Sequence, residues 1–481
     1  MKTFSVPAFL VLLFLEAPAL AQNDASIGLK ENENLPAPTT SQDVNSANPI
    51  KLFVSAEAPS SDLPTVGGSY GIEDAVKIGL KDNLSLKQSE KNWISSKFMA
   101  RAALGKFGPS ASFNTFYSTS SLNQMLFFPN DTSVSSGPMQ PIVRGTSLSL
   151  IFAGTQPLLT GGRIMGTYKA AQAAERQSLS GYKADTNSTA LKVREAYWDA
   201  AWYEAKLRVD TDYAKTKDWS SQNVKARVDE GKAPRVDYLR EDAELSRART
   251  QVNEDFRDYN VALVKLKTAL GINYSSLFFL KDSLEYFEMP GDISGFLLSA
   301  GKNRPEIAQA DSKIAELKAR RMVARSKYAP QVNLYGLGSN ITGSSPDGGG
   351  NGRWGGVVGV VGGVTLYDSG IRLNELRAAD NAVRQAELAR AEVRQKVAED
   401  VSIAWINLDL SRKNVDLAKV EVVSAEEDQR LMHTRYLVGK AIELEDFDAS
   451  VKLLQARLNL LQSIYKFRLA QARLIWASGE R

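Results

Sequence analysis

Glu445 and Asp448 stand three residues apart just beyond Gly439, so on a helix their carboxylates share one face. Acids placed in a first turn complement the positive end of the helix dipole, a contribution of about 0.3–1 kcal/mol each. Other chemistry is sparse. The chain has one histidine, His433, and no cysteine, so it offers no thiol nucleophile, no disulfide and no Cys/His metal set. His433 reads as a solvated helix position. There is no Gly-rich phosphate loop and no acid pair set in a recognisable pocket, which leaves only carboxylate chemistry open to an enzyme. The expectation is a protein that is not an enzyme, with no catalytic residue, metal or cofactor.

The elements that carry the acid pair are written twice. Phe107-Gly108-Pro109-Ser110-Ala111 is echoed by Tyr328-Ala329-Pro330-Gln331-Val332 at an offset of 330 − 109 = 221. From Gly162 onward the offset is 208, with Gly370, Gly439 and Gly479 answering Gly162, Gly231 and Gly271. The difference, 221 − 208 = 13 residues, falls between Pro109 and Gly162 and predicts a loop of changed length there. A repeat of this size exceeds the roughly 20–50 residues of a solenoid unit. It reads as one internally duplicated body.

Within each copy a helix comes first, from about Tyr70 to Leu104 and again from about Ile293 to Tyr328, with Pro305 in the first turns of the second. Alternating runs follow. Ala111, Phe113, Thr115 and Tyr117 oppose Ser110, Ser112 and Asn114, and the return strand sets Leu148, Leu150 and Phe152 against Ser147 and Ser149. Copy two repeats this with Val332 and Leu334, then Val358 and Val360 among glycines. The loops between the paired strands, about 119–144 and 343–352, read as polar and irregular. Beyond them Ile371 to Val438 contains neither Gly nor Pro, long enough for a single helix of about 100 Å. Tyr182 to Glu230 is likewise free of breakers, and a second run follows each tip glycine, Arg235 to Leu270 and Lys440 to Ser478. Ala382, Ala386, Ala389, Val393, Val397, Val401, Ala404 and Leu408 step by three or four along a narrow seam, as in close helix pairs.

Lys2, the apolar run Phe4 to Leu15 and Ala19-Leu20-Ala21 form an export signal with a small-x-small cleavage site. The net charge of +4 on 481 residues is weak and interleaved, so nucleic acid is not an expected partner. The organisation divides into a signal peptide at 1–21, a flexible mature N-terminus at 22–68, repeat one at 69–271, a linker at 272–292 and repeat two at 293–479. An exported chain with alternating strands suggests membrane strands, with Leu148, Leu150, Phe152, Val358 and Val360 facing lipid. Open sheet edges are not tolerated in hydrocarbon, and four strands cannot close alone, so several chains must share one barrel. A periplasmic coiled-coil scaffold or adaptor without a pore explains the hairpins equally well but leaves the strand pairs unexplained.

From Gly71 to Gly479 the chain resembles the TolC-like outer membrane efflux protein family. The resemblance rests on Glu73-Asp74-Ala75 opening the first helix, Pro109 and Pro330 before the strands, Gly162 and Gly370, and the tips Val228-Asp229-Glu230-Gly231-Lys232 and Tyr436-Leu437-Val438-Gly439-Lys440. It implies an α+β membrane protein forming a homotrimer, with four transmembrane strands per chain in a twelve-strand barrel and the helical hairpins in a periplasmic α-barrel. It further implies a passive exit duct of a tripartite efflux or type I secretion system, working with a periplasmic adaptor and an inner-membrane transporter. By the same resemblance Glu445 and Asp448 narrow the closed pore, with Glu445 standing where the family has aspartate. Six carboxylates around one axis would repel each other, which raises some of their pKa values and attracts cations. Gly231, Lys232, Tyr436, Gly439 and Lys440 would dock the adaptor. The sequence departs from parts of the family in lacking a lipid-anchoring cysteine after the signal and in its long, low-complexity mature N-terminus.

Overall fold

A computed structural model describes residues 63–120, 124–126, 140–142, 145–344 and 350–480. The export signal and most of the segment 22–68 lie outside them. The first described element is a strand, β1 (Gly67–Tyr70), whose first two residues belong to the segment 22–68. It pairs in parallel with β6 (Leu277–Leu280), which lies in the stretch read as a linker.

The opening helix of each repeat is two helices. In the first, α1 (Ile72–Asp82) gives way to α2 (Leu84–Gly105) at Asn83, which leaves helical geometry and caps α2 by accepting a bond from the Leu86 N–H at 3.1 Å. In the second, α5 (Ile293–Asn303) stops at Arg304, and Pro305 opens α6 (Pro305–Ser326) rather than interrupting one longer helix. The long hairpins are α3 (Arg163–Asp229) with α4 (Arg235–Leu270), and α7 (Ile371–Leu437) with α8 (Glu443–Ser478). Corresponding helices match in length, 11, 22, 67 and 36 residues in either repeat. α8 starts three residues later than the breaker-free run. α3 starts far earlier than its run and passes through Gly166 and Gly181. At Gly166 a methyl group would sit 2.8 Å from Val323 Cγ2 and 3.0 Å from the Ala319 carbonyl, so glycine there lets α3 lie close on α6.

Between helices lies an antiparallel sheet ordered β2 (Ser110–Ser120), β5 (Gly145–Leu159), β7 (Gln331–Ser344), β8 (Gly350–Gly363). Each repeat supplies one hairpin, and the β5–β7 ladder joins them. The longer loop of repeat one is not wholly irregular. It contains a short pair, β3 (Gln124–Leu126) with β4 (Gln140–Ile142). In repeat two the strands run on into the glycine-rich tract that was read as loop.

The core sits where the long helices cross the β1–β6 pair. Val193, Tyr197, Leu266, Leu270, Val401, Phe467 and Leu474 are buried there, with Trp198 among them. Tyr197 is the tie. Its hydroxyl donates to the Tyr70 carbonyl at 3.0 Å and accepts from the Asp282 N–H at 3.1 Å, holding α3 to β1 and to the turn that follows β6. Trp202 stacks on Tyr465 and Trp405 lies against Phe296, so those tryptophans are packing residues. Of the α7 seam, Val397, Val401, Ala404 and Leu408 are buried, whereas Ala389 is exposed although α6 is ion-paired to α7 on either side of it, through Lys318–Glu387 at 3.4 Å and Asp311–Arg390 at 2.6 Å.

Gly271 ends α4 at φ 72°, and a methyl group on it would lie 2.6 Å from the Asp82 carbonyl oxygen. Gly271→Ala should therefore lower the unfolding midpoint in detergent by an amount corresponding to about 1–3 kcal/mol. Gly105→Ala, where nothing lies within 4 Å, should leave it unchanged or slightly higher. Equal midpoints for the two variants would refute this account of the α4 terminus.

Candidate functional site

Both hairpin tips are closed by a glycine in the left-handed region, Gly231 at φ 73° and Gly439 at φ 70°. The next residue returns its N–H to the last helical turn, Lys232 to the Arg227 carbonyl and Lys440 to the Arg435 carbonyl, each at 2.8 Å. Glycine at these points is a backbone requirement, since the space around both is open. The Lys232 side chain pairs with Glu230 at 2.6 Å, while Lys440 is exposed. Arg227 links the two tips by donating to the Tyr436 hydroxyl at 2.6 Å.

The acid turn opens α8. Glu445 reaches back and accepts the Ile442 N–H at 3.2 Å, while its own N–H donates to the Ile442 carbonyl at 3.0 Å. Ile442 has no side-chain acceptor, so this is half of a capping box. Glu445 and Asp448 are both exposed, on a face of α8 that its neighbours leave uncovered. The two residues between them face inward. Asp446 binds His433 of α7 at 3.1 Å between Oδ2 and Nδ1, and Phe447 lies under the Lys217 ammonium of α3 at 4.3 Å. Lys217 is itself buried and pairs with Glu241 of α4 at 3.6 Å. The acid turn is thus fastened to α7 directly and to the other hairpin through one lysine. The corresponding residues of repeat one, Asp237 and Arg240, do not form an acid pair.

Three of these partners escaped sequence reading. His433 is not simply solvated, because antiparallel packing of α7 on α8 carries it to Asp446. Nothing in the sequence marks Lys217 and Glu241 out from the other charges on these polar helices. Both are buried where α3 packs against α4, with Phe447 of α8 lying against Lys217.

Cross-strand partners in a ladder point to the same side. The rows Phe113–Phe152–Gly338–Gly356, Thr115–Leu150–Asn340–Trp354 and Ala111–Gly154–Gly336–Val358, with Tyr117–Leu148 and Leu334–Val360, therefore share one face. Leu148, Leu150, Phe152, Val358 and Val360 all belong to it. So does Trp354, missed among its glycines, which lies 6.0 Å from Phe152. Phe113 meets Phe152 at 4.6 Å on the same side. Ser110, Ser112, Ser147 and Ser149 occupy the other face. No helix among the described residues is long and apolar enough to cross a membrane. Nor, among them, does any group of three His, Asp or Glu side chains stand close enough to hold a metal ion.

The family model described as outer membrane efflux protein matches residues 80–272 and 297–480, once on each repeat. No curated protein matches the sequence. Among solved structures, the Campylobacter jejuni CmeC outer membrane channel is similar with a TM-score of 0.70 at 17% identity, covering 93% of this chain and 94% of that one. The open state of the Neisseria gonorrhoeae MtrE outer membrane channel gives 0.68 at 19% identity, covering 85% and 89%. The outer membrane protein VceC from Vibrio cholerae gives 0.68 at 14%, covering 85% and 96%. At these identities the likeness is one of fold, and the family match rests on the sequence itself. The chain belongs to the outer membrane efflux protein family, whose members are channels of the outer membrane that extend into the periplasm.

Proposed function

We propose that three copies of this chain pool their sheets into one twelve-strand barrel in the outer membrane, and that the α3–α4 and α7–α8 hairpins continue it as a tube into the periplasm. The observation that carries this is the four-stranded sheet. One of its faces carries Phe113, Leu148, Leu150, Phe152, Trp354, Val358 and Val360, and its outer strands β2 and β8 each pair with one strand only among the described residues. Unpaired backbone groups cost several kcal/mol each in hydrocarbon, roughly 4–8 on a cyclohexane scale, so the edges must meet others. Two copies would make a barrel of about eight strands, whose interior side chains fill; three leave room for a lumen. The apolar face with Phe113, Phe152 and Trp354 then meets lipid and the serine face lines the passage.

In this reading the duct is passive. A periplasmic adaptor engages the tips around Gly231, Lys232, Tyr436, Gly439 and Lys440, and an energised inner-membrane transporter supplies cargo, in efflux or in type I secretion. Glu445 and Asp448 form the constriction. Their exposure on a free face of α8 supports this, and three copies would set six carboxylates around the axis.

In detergent the purified protein should have the mass of a trimer and form conducting channels in planar bilayers. Phe152→Lys should sharply reduce the inserted, assembled fraction, by about 2–4 kcal/mol if the site lies at mid-membrane, while Ser112→Lys on the opposite face should not. A monomer that stays soluble without detergent would end the proposal. Replacing Glu445 and Asp448 together by Ala should raise single-channel conductance and weaken block by multivalent cations; unchanged values in both measurements remove them from the gate. Trp at Lys232 or Lys440 should reduce adaptor cross-linking with little change in melting. Full cross-linking by both variants would place docking elsewhere.

A further inference from the structure

Along the first hairpin, two buried carboxylates and one half-buried lysine meet between α3 and α4. Asp210 is 4% exposed and Asp255 0%. Lys206 lies 3.7 Å from Asp210 Oδ2 and in closer contact with Asp255 Oδ1, to which the Gln251 side-chain amide also donates at 3.0 Å. One oxygen of each acid, Oδ2 in both, is buried with no donor. One ammonium cannot neutralise two buried carboxylates, and an uncompensated buried charge is costly. A proton on one acid removes the excess charge and supplies the missing donor.

We propose that Asp210 and Asp255 form a proton-binding site within the hairpin: the pair retains one proton between them, and its loss loosens the packing of α3 on α4. The surroundings hold nothing else that would balance the charge. On α3 the nearby titratable groups are Lys206 and Tyr213, and on α4 they are Asp255 and Asp258. On α8, between the Phe447 contact with Lys217 and the Tyr465 contact with Trp202, the charged residues are Asp448, Lys452 and Arg457. All three are exposed, and Arg457 is engaged by Glu426 of α7 at 3.0 Å.

Burial, with the hydrogen bond and charge of Asp255 adding to it, pushes the Asp210 carboxyl up to about 7. Asp255 is penalised by burial too, but its bonds to Asp210, Lys206 and Gln251 hold it below the usual carboxylate range. The folded value of Asp210 lies above the unfolded value of about 3.9. Its stabilising contribution is therefore complete below the unfolded value and is lost as the pH climbs through about 7. Repeat two provides an internal control. At the offset of 208 it has Asn414, Ala418, Asn459 and Ser463 in place of Lys206, Asp210, Gln251 and Asp255. None of those four positions can ionise there, and Asn459 instead donates to Glu421 of α7 at 3.4 Å.

Hydrogen exchange on the full-length protein in detergent, corrected for the intrinsic pH dependence of exchange, reads the site directly. In peptides spanning residues 203–213 and 251–258, local opening should rise by about tenfold per pH unit between pH 5 and 7 and level off above about 7.5. Peptides around residues 414–418 and 459–463 should show no such slope. Asp210→Asn, which keeps the donor but cannot ionise, should flatten the slope. Asp255→Asn, which leaves one acid for one lysine, should move the midpoint down by at least about one pH unit. A slope that persists in Asp210→Asn, an equal slope in both hairpins, or no slope in the unsubstituted protein would overturn the proposal.

Discussion

Every backbone N–H and C=O placed in hydrocarbon must find a partner inside the protein, and four strands cannot meet that demand by themselves. In the barrel proposed above, the rest of the molecule answers this shortage. β5 and β7 are satisfied on both sides, while β2 and β8 end the sheet. The two hairpins come from different repeats, so duplication doubles the strands that one chain would bring to the proposed barrel. The antiparallel β5–β7 ladder is what turns two marginal hairpins into one continuous surface, with Phe113, Phe152 and Trp354 on the same side.

The same economy of parts shapes the helices. A helix of 67 residues satisfies its own backbone over about 100 Å and needs outside partners only at its ends. Those ends are handled locally, by Gly231 and Gly439 at the tips and by Gly162 and Gly370, all at positive φ. Side-chain packing then decides lateral order. α3 lies against α2, α4, α6 and α8, making it the helix around which both repeats assemble.

Highly charged helices leave few apolar contacts away from the waist, and polar ties compensate. Arg304 is buried between Asp400 at 2.8 Å and the face of Trp476 at 4.1 Å, and Arg468 is held between Trp198 and Phe287. Arg473 and Glu195 at 2.8 Å, with Tyr465 and Asp199 at 2.6 Å, join α8 to α3 across the repeat boundary. Near the tips, Lys217 plays this part between three helices. Directional contacts of this kind fix the register of long parallel surfaces that would otherwise slide by a turn at little cost.

The amino-acid sequence alone determined the duplication, the order of elements, the tip glycines and the alternation that puts Leu148, Leu150 and Phe152 on one side of a strand. These are local properties, set by backbone geometry and periodicities of 2 and 3.6 residues. Helix interruptions were harder to read. Asn83 breaks a run in which many asparagines would not, because its side-chain amide also donates to the Ala269 carbonyl at 2.9 Å, nearly two hundred residues away. The partners of charged side chains were illegible, since Lys217, Glu241, Asp210, Asp255 and His433 look alike on any polar helix. Tertiary structure decided which of them are buried, because burial depends on which face of one helix another helix covers. The pairing of β5 with β7 was decided there too: strand alternation specifies a face but not a neighbour.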